Sequence, residues 1–294
     1  DLSVAENTLI VFTSDNGPHN GAGSGGSYTQ NPTFFRSYGG LDGIKRDMWE
    51  GGVRVPTIVN WPAEIAAGSE SNTASQFHDW MPTFAELAGL LKPERSDGVS
   101  LVPTLTGEGT QKPGLVYSEY QNGGGANTPA YADFESAHQT QRGHMQMVHI
   151  GNFKGVRYNT ASHATDFRIY NVASDPKETT NLSGQPGIPT QQQFKDRVLQ
   201  VRRPGGGVTR SYDSEAVPAV TVPSLGNGLD YRTYEKTSIF VPDWEAEAAT
   251  TQGTTAAPDL ALRTRDNDVG LLFSGYLRIP AEGDYTFSLN TDTG

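Results

Sequence analysis

Cysteine is absent from the 294 residues, which removes thiolate nucleophiles, disulfides, Cys-ligated zinc and iron–sulfur clusters at once. Any metal held by this chain must sit on oxygen or imidazole. Positive charge is scarce: 22 Lys and Arg stand against 33 Asp and Glu, for a formal charge of -11 and a pI near 5.0. Affinity for nucleic-acid phosphates needs a basic face, so no nucleic-acid partner is expected. No apolar run approaches the roughly 20 residues that span a bilayer, and no transmembrane segment is expected. The first residues also lack the charged start and apolar stretch of a signal peptide. What is plentiful is turn chemistry, with 34 Gly and 18 Pro. Their share stays below the roughly 25–30% that marks low complexity, and the chain reads as folded, loop-rich and long enough for about two domains.

Thr8-Leu9-Ile10-Val11-Phe12 is a continuous apolar run, the pattern of a strand buried on both faces of a parallel sheet. Only Val55 to Trp61 looks like a neighbour. Two strands do not make a doubly wound sheet, so the chain is expected to begin inside a larger α/β domain. A helix is predicted from Asp79 to Leu87, capped by Asp79, tolerant of Pro82 in its first turn and ended by Gly89, with Phe84, Leu87 and Ala88 on its apolar face. Residues 104 to 143, rich in Gly, Asn, Gln and Thr, read as long surface loops. Short antiparallel strands follow at Met147 to Ile150, Phe153 to Tyr158 and Phe167 to Tyr170, with a Gly151-Asn152 turn. Phe194, Val198 and Val201 recur as one stripe of a helix. The stretch from Pro204 to about Gly228 alternates Pro, Gly, Ser and Val and is the best domain boundary. Beyond it, apolar residues alternate from Phe273 to Ile279 and from Tyr285 to Leu289, predicting a hairpin closed by residues 280–284.

Two constellations carry chemistry. Thr13-Ser14-Asp15-Asn16-Gly17 closes the first apolar run, and ligands of open α/β sheets bind beyond the carboxyl ends of strands. Asp15 and Asn16 offer oxygens that suit a hard divalent cation such as Ca²⁺ or Mg²⁺, while Asp-Asn-Gly is equally a common turn sequence. The second runs Gly39-Gly40-Leu41-Asp42-Gly43-Ile44-Lys45. There the glycines permit close backbone approach, and Lys45 is a point charge able to meet an anionic ester or to face water. Glu50 and Arg54 read as an ion pair or caps that fix this loop. His19 is a titratable group beside the strand end, fit either to face a substrate or to lie in solvent. His138, His144, His149 and His163 have no short ligand spacing, and no second metal site is expected from them. Asn181-Leu182-Ser183 matches the glycosylation acceptor pattern.

The run NTLIVFTSDNGPHNG, followed by FFRSYGGLDGIKRDMWEGGVRVPTIVNWP, closely resembles the second half of the catalytic domain of formylglycine-dependent sulfatases, the arylsulfatase family. His78-Asp79-Trp80-Met81-Pro82-Thr83 and Asp97-Gly98-Val99-Ser100-Leu101 resemble the family's following segments. Phe167 to Asn171, Asp175-Pro176 and Glu178-Thr179-Thr180-Asn181-Leu182 resemble its C-terminal subdomain. The likeness covers residues 1–203. It implies an alkaline-phosphatase-like α/β fold with an antiparallel C-terminal subdomain, and hydrolysis of sulfate esters of a carbohydrate or aryl group. By motif match Asp15 and Asn16 are implied metal ligands, usually for Ca²⁺, and Lys45 is implied to bind the sulfate and stabilise the leaving oxygen. The family's nucleophile, a formylglycine made within a Cys/Ser-x-Pro/Ala-x-Arg motif, is expected upstream, since that motif does not occur here. Periplasmic or extracellular placement, with the signal peptide also upstream, follows by the same likeness. Phosphate or phosphonate ester hydrolysis in the same superfamily is the alternative, and a non-catalytic glycan-binding adhesin another. Residues 204–228 read as a linker. From 229 to 294 the chain resembles the first part of a protective-antigen-type (PA-fourteen) β-sandwich, especially FSGYLRIPAEGDYTFSLNTDTG, which implies a glycan-binding module, although Asp292-Thr293-Gly294 stands where that family often carries the consecutive Asp residues that hold calcium.

Overall fold

The structure, a computed structural model, describes residues 4–21, 31–92, 94–121 and 126–203. Beyond 203 it describes residues 210, 212, 213, 216, 217, 219, 222, 224–238, 241, 242, 244 and 247–288. It divides into two compact units, one made of residues 1–74 and 115–218, the other of 75–114 and 219–294.

In the first unit the short strands predicted between Met147 and Tyr170 form part of an antiparallel sheet. Its strands are β3 (Tyr117–Gln121), β4 (His144–Ile150), β5 (Phe153–Arg157) and β6 (Arg168–Asn171), in that spatial order. Gly151, at φ +59, makes the predicted tight turn between β4 and β5. Because successive side chains leave a strand on opposite faces, the sheet has two cores. On one face Val148, Phe167 and Ile169 meet Phe194 and Val198 of the helix α4 (Gln191–Val201). That helix starts at a capping box in which Thr190 and Gln193 satisfy each other's backbone N–H groups. Gly155 leaves the room it needs, since a Cβ there would lie 2.5 Å from the Phe194 ring. On the opposite face Met145, Met147, Val156 and Tyr170 bury Met48 and Trp49. The loop that carries Lys45, and the short helix α1 (Glu50–Val53) after it, is thereby fastened across the sheet. Trp49 is fully buried and stacks between His138, at 3.8 Å, and Tyr158, at 5.2 Å. A side chain of this size removes on the order of 150–250 Å² from water.

Two expectations for this unit are corrected. The first apolar run forms β1 (Ile10–Phe12), but its one neighbour, β2 (Ile58–Asn60), lies antiparallel, with Val11 opposite Val59. Ile10, Phe12 and Ile58 are 56–66% exposed rather than buried. Apolar composition records a demand for burial and says nothing of a neighbour's direction. Residues 104–143 are not all loop, since they contain β3. Its Tyr-Ser-Glu-Tyr-Gln sequence lacks apolar alternation because Glu119 anchors a polar cluster. Its carboxylate accepts hydrogen bonds from His144 and Arg202 and pairs with Arg210 at 2.6 Å. Burial opposes ionisation of Glu119, yet these donors hold its pKa down at about 2.

In the second unit a tight turn at Phe77–Asp79 leads into α2 (Trp80–Leu87). The Asp79 carboxylate accepts from the N–H groups of Gln76 and Val99, both at 2.8 Å. Gly89 ends the helix at φ +69, as predicted. The predicted apolar face is wrong: Pro82 and Thr83 are buried, while Phe84 is exposed. Thr83 explains this, because its hydroxyl donates to the Asp79 carbonyl and accepts from the Leu101 N–H just before α3 (Val102–Thr106). Farther along, β7 (Leu229–Glu235), β8 (Thr251–Thr255) and β9 (Val269–Ser274) form an antiparallel sheet in the order β8-β7-β9, with Tyr234 stacked on Trp244. The predicted hairpin is not formed. Strand β9 stops at Ser274, residues 275–288 make no strand, and Tyr276, Leu277 and Phe287 are exposed. A lone hairpin is marginal in water without a sheet to lie on, and no second sheet of a sandwich appears in this region among the described residues. Leu289, Asp292 and the Pro204–Gly207 boundary lie outside the described residues. Among the described residues no helix is long and apolar enough to cross a membrane.

Candidate active site

The backbone brings the two chemical constellations side by side. Gly17 N–H donates to the Gly52 carbonyl at 2.9 Å, and Lys45 N–H donates to the Pro18 carbonyl, also at 2.9 Å. Contact is so close that a Cβ on Gly17 would lie 1.9 Å from the Gly51 oxygen. Only glycine fits there, which gives the Asp-Asn-Gly sequence a packing reason as well as a turn reason.

Asp15 is exposed and Asn16 half-buried. The Asn16 side-chain nitrogen donates to the Gly17 carbonyl at 2.9 Å, and the Ser14 hydroxyl donates to the Asn16 carbonyl at the same distance. Among the described residues the Asp15 carboxylate and the Asn16 amide oxygen accept no hydrogen bond. Two adjacent uncommitted oxygens, one of them anionic, are a donor set that fits a hard cation, although Ca²⁺ takes six to eight oxygens in all. Among the described residues no three His, Asp or Glu side chains converge on any metal position, this one included. His19 is half-buried next to these residues and makes no hydrogen bond among the described residues.

Lys45 is half-buried, and its ammonium has neither ion pair nor hydrogen bond among the described residues. This is unexpected for a lysine with three carboxylates within five residues of it. Each of the three is held by another cation. Asp42 takes His138 Nδ1 at 2.8 Å, the Glu135 N–H at 2.6 Å and Lys177 at 3.8 Å. Asp47 takes both arms of Arg142, at 2.7 and 2.6 Å, with the Thr128 hydroxyl at 2.6 Å. Glu50 takes Lys154 at 2.8 Å, and Arg54 only at 3.6 Å. The Glu50–Arg54 pair expected from the sequence is therefore present, but as the weaker of two. All of these partners except Arg54 come from the segment 128–178, folded around β4 and β5.

Lys154 is fully buried and bridges Glu50 to Glu178, at 3.0 Å, while the second Glu178 oxygen accepts the Glu50 N–H at 2.7 Å. One ammonium between two carboxylates cannot satisfy both equally. Burial opposes ionisation of each; the charge of Lys154 outweighs it at Glu50, whose pKa is lowered. At Glu178 burial prevails, assisted by the Glu50 charge, and the pKa is pushed up to about 7. The folded protein thus holds a proton on Glu178 that the unfolded chain releases near the ordinary value of 4.5. Stability falls as pH rises through this window and levels off above about 7. Burial and Lys154 push His149 down to about 4, and that group works in the opposite sense below pH 6.5. The difference between wild type and Glu178→Gln isolates the carboxyl. In urea unfolding at pH 5 and pH 8, the wild type should lose more than about 1 kcal/mol relative to the variant over that range. An equal change in both proteins would assign the proton elsewhere.

Sequence reasoning singled out Asp15, Asn16, His19 and Lys45 as candidates but not Arg142, Lys154 and Glu178, which lie far along the chain. The available signal was Glu178 itself, within the Glu-Thr-Thr-Asn-Leu motif and here at φ +60.

A family model described as N-sulphoglucosamine sulphohydrolase, C-terminal, matches residues 38–204, more than half of the chain. The chain belongs to that sulfatase family. It is 28% identical over 200 residues to an N-acetylglucosamine-6-O-sulfatase of Bacteroides thetaiotaomicron, covering 68% of this chain and 30% of that protein. It is 40% identical over 114 residues to human arylsulfatase A, covering 37% and 20%. A solved complex with D-glucosamine-2-N,6-O-disulfate is similar at 26% identity and a TM-score of 0.44, covering 66% of this chain and 34% of that one. The chain spans less than a third of the length of these two curated relatives.

Proposed function

We propose that this chain is the C-terminal part of the catalytic region of a sulfuric ester hydrolase acting on a sulfated carbohydrate. In this reading Asp15 and Asn16 give two oxygen ligands to a divalent cation, Ca²⁺ or Mg²⁺, and Lys45 receives the sulfate, with His19 at the rim. The observation that carries it is the Lys45 ammonium, without a partner among the described residues because the three nearby carboxylates are each held elsewhere. A cation so kept is available to an anion. Family membership supports a sulfate ester as that anion, and the likeness to a 6-O-sulfatase favours a sulfated amino sugar.

When bound, the cation and an upstream formylglycine supply positive charge and the nucleophile. The residues of this chain orient the ester and neutralise it. As the bond between sulfur and the ester oxygen breaks, negative charge grows on the leaving oxygen, and the Lys45 ammonium lowers the cost of that charge. In the same reading residues 1–203 are the catalytic part, 204–228 a linker and 229–294 the start of a PA-fourteen-like glycan-binding module on the β8-β7-β9 sheet. Export from the cytoplasm belongs to the same reading.

The test uses the full-length protein carrying this chain. Asp15→Ala with Asn16→Ala should lose one equivalent of divalent metal by elemental analysis and lower sulfate release from a sulfated amino sugar by at least about 100-fold. Unchanged metal content and unchanged sulfate release would refute the ligand assignment. Release of phosphate from a phosphate or phosphonate ester, in preference to sulfate, would move the reaction to the related hydrolases.

A further inference from the structure

Lys45 occupies the second position of a tight turn, Ile44–Asp47, that the sequence does not favour. Arg46, the third residue, sits at φ +78, a left-handed conformation that costs a non-glycine residue roughly 1–2 kcal/mol. Something else must hold the turn shut. Asp47 N–H donates to the Ile44 carbonyl at 2.8 Å, and the Asp47 carboxylate accepts the Ile44 N–H at 2.9 Å. Both carboxylate oxygens are also gripped from outside the loop, by the guanidinium fork of Arg142 and the hydroxyl of Thr128. Asp47, Arg142 and Thr128 are all buried. Arg142 is in turn fixed by its own N–H on the Ala126 carbonyl.

We propose that Arg142 is a positioning residue for Lys45, acting through Asp47, so that the strained turn presents the ammonium to the sulfate. The inference rests on the function proposed above and adds a residue that touches neither substrate nor metal. A bidentate fork fixes the plane of a carboxylate, and hence the direction of the Ile44 N–H bond. A lysine at the same place keeps the charge and loses that direction. Strain of this kind persists where the surroundings over-determine it, commonly beside reacting groups.

The test is a double-mutant cycle in the full-length protein. Arg142→Lys should lower kcat for sulfate release about tenfold and raise KM in the same direction as Lys45→Ala, because a displaced ammonium meets both the sulfate and the developing charge poorly. In a Lys45→Ala background the same substitution should change kcat by less than about twofold. An equal loss in both backgrounds would mean that Arg142 supports the fold in general, and would overturn the proposal while leaving the function standing. A Lys45→Ala enzyme as active as wild type would instead overturn the role of Lys45 and this proposal with it. Should Arg142→Lys fail to fold, Thr128→Val removes the other grip on the same carboxylate and runs through the same cycle: a loss confined to the Lys45 background supports the proposal, and an equal loss in both overturns it.

Discussion

Lys154→Met should destabilise the protein by about 3–5 kcal/mol, read as a shift of the urea unfolding midpoint at pH 8. The substitution preserves length and packing, and the loss comes from what it leaves behind. Glu50 and Glu178 are 4% and 0% exposed, and without Lys154 two carboxylates face each other across a site that water does not reach. Against a typical total of roughly 5–15 kcal/mol, this is a large fraction of what holds a domain together. The deficit should shrink at pH 5, where the two carboxyls take up protons more readily than ordinary acids and the stranded charge disappears. Combining Lys154→Met with Glu50→Gln and Glu178→Gln should recover much of the loss, since a buried ion cluster is costly chiefly when it is broken. If Lys154→Met shifts the midpoint by less than about 1 kcal/mol, the ammonium is not carrying the two carboxylates.

That cluster also bears on how far the sequence was readable. Strands β4 to β6 followed from short apolar runs bounded by turn residues and helix α4 from 3.6-period spacing, because the sheet is buried on both faces, one against Phe194 and Val198 and the other against Trp49. Gly89 and Gly151 marked their turns correctly, since each sits at positive φ. Strand β3 was invisible for a physical reason: its central side chain is Glu119, satisfied by His144 and two arginines, and periodicity scales record only apolar residues. Residues 273–289 erred the other way, with alternation present and no sheet on which residues 275–288 lie.

The candidate site divides along the same line. The residues proposed to meet a ligand stand in short local motifs, Asp15-Asn16-Gly17 and Gly43-Ile44-Lys45, which a sequence reading can single out. Residues that hold those motifs in place were not, because Asp47 meets Arg142 across 95 residues and the Glu50 N–H meets Glu178 across 128. No spacing rule spans such separations. What the sequence did contain was a pattern of charge, three acids around one lysine, and a simple reading would have paired them with it. The fold instead imports Arg142, Lys154 and Lys177 to meet the acids, so the local negative charge fixes the loop without quenching its cation.

Lys45→Ala is therefore expected to separate activity from stability. In the full-length protein kcat/KM for a sulfated amino sugar should fall by about 10²–10³, which corresponds to about 2.7–4 kcal/mol of lost charge stabilisation. KM should rise as well as kcat fall, because the ammonium meets the sulfate before the bond breaks and the leaving oxygen afterwards. Lys45→Arg should recover only part of the loss, since a planar fork does not replace a compact point charge held at one position. The unfolding midpoint of Lys45→Ala should stay within about 0.5 kcal/mol of wild type, for the ammonium has no partner among the described residues to lose. Two lysines fastened to the same sheet are thus expected to behave oppositely, Lys154 carrying stability and Lys45 carrying turnover. A Lys45→Ala protein that unfolds early, or that releases sulfate at the wild-type rate, would show that this lysine belongs to the scaffold and that the anion is met elsewhere.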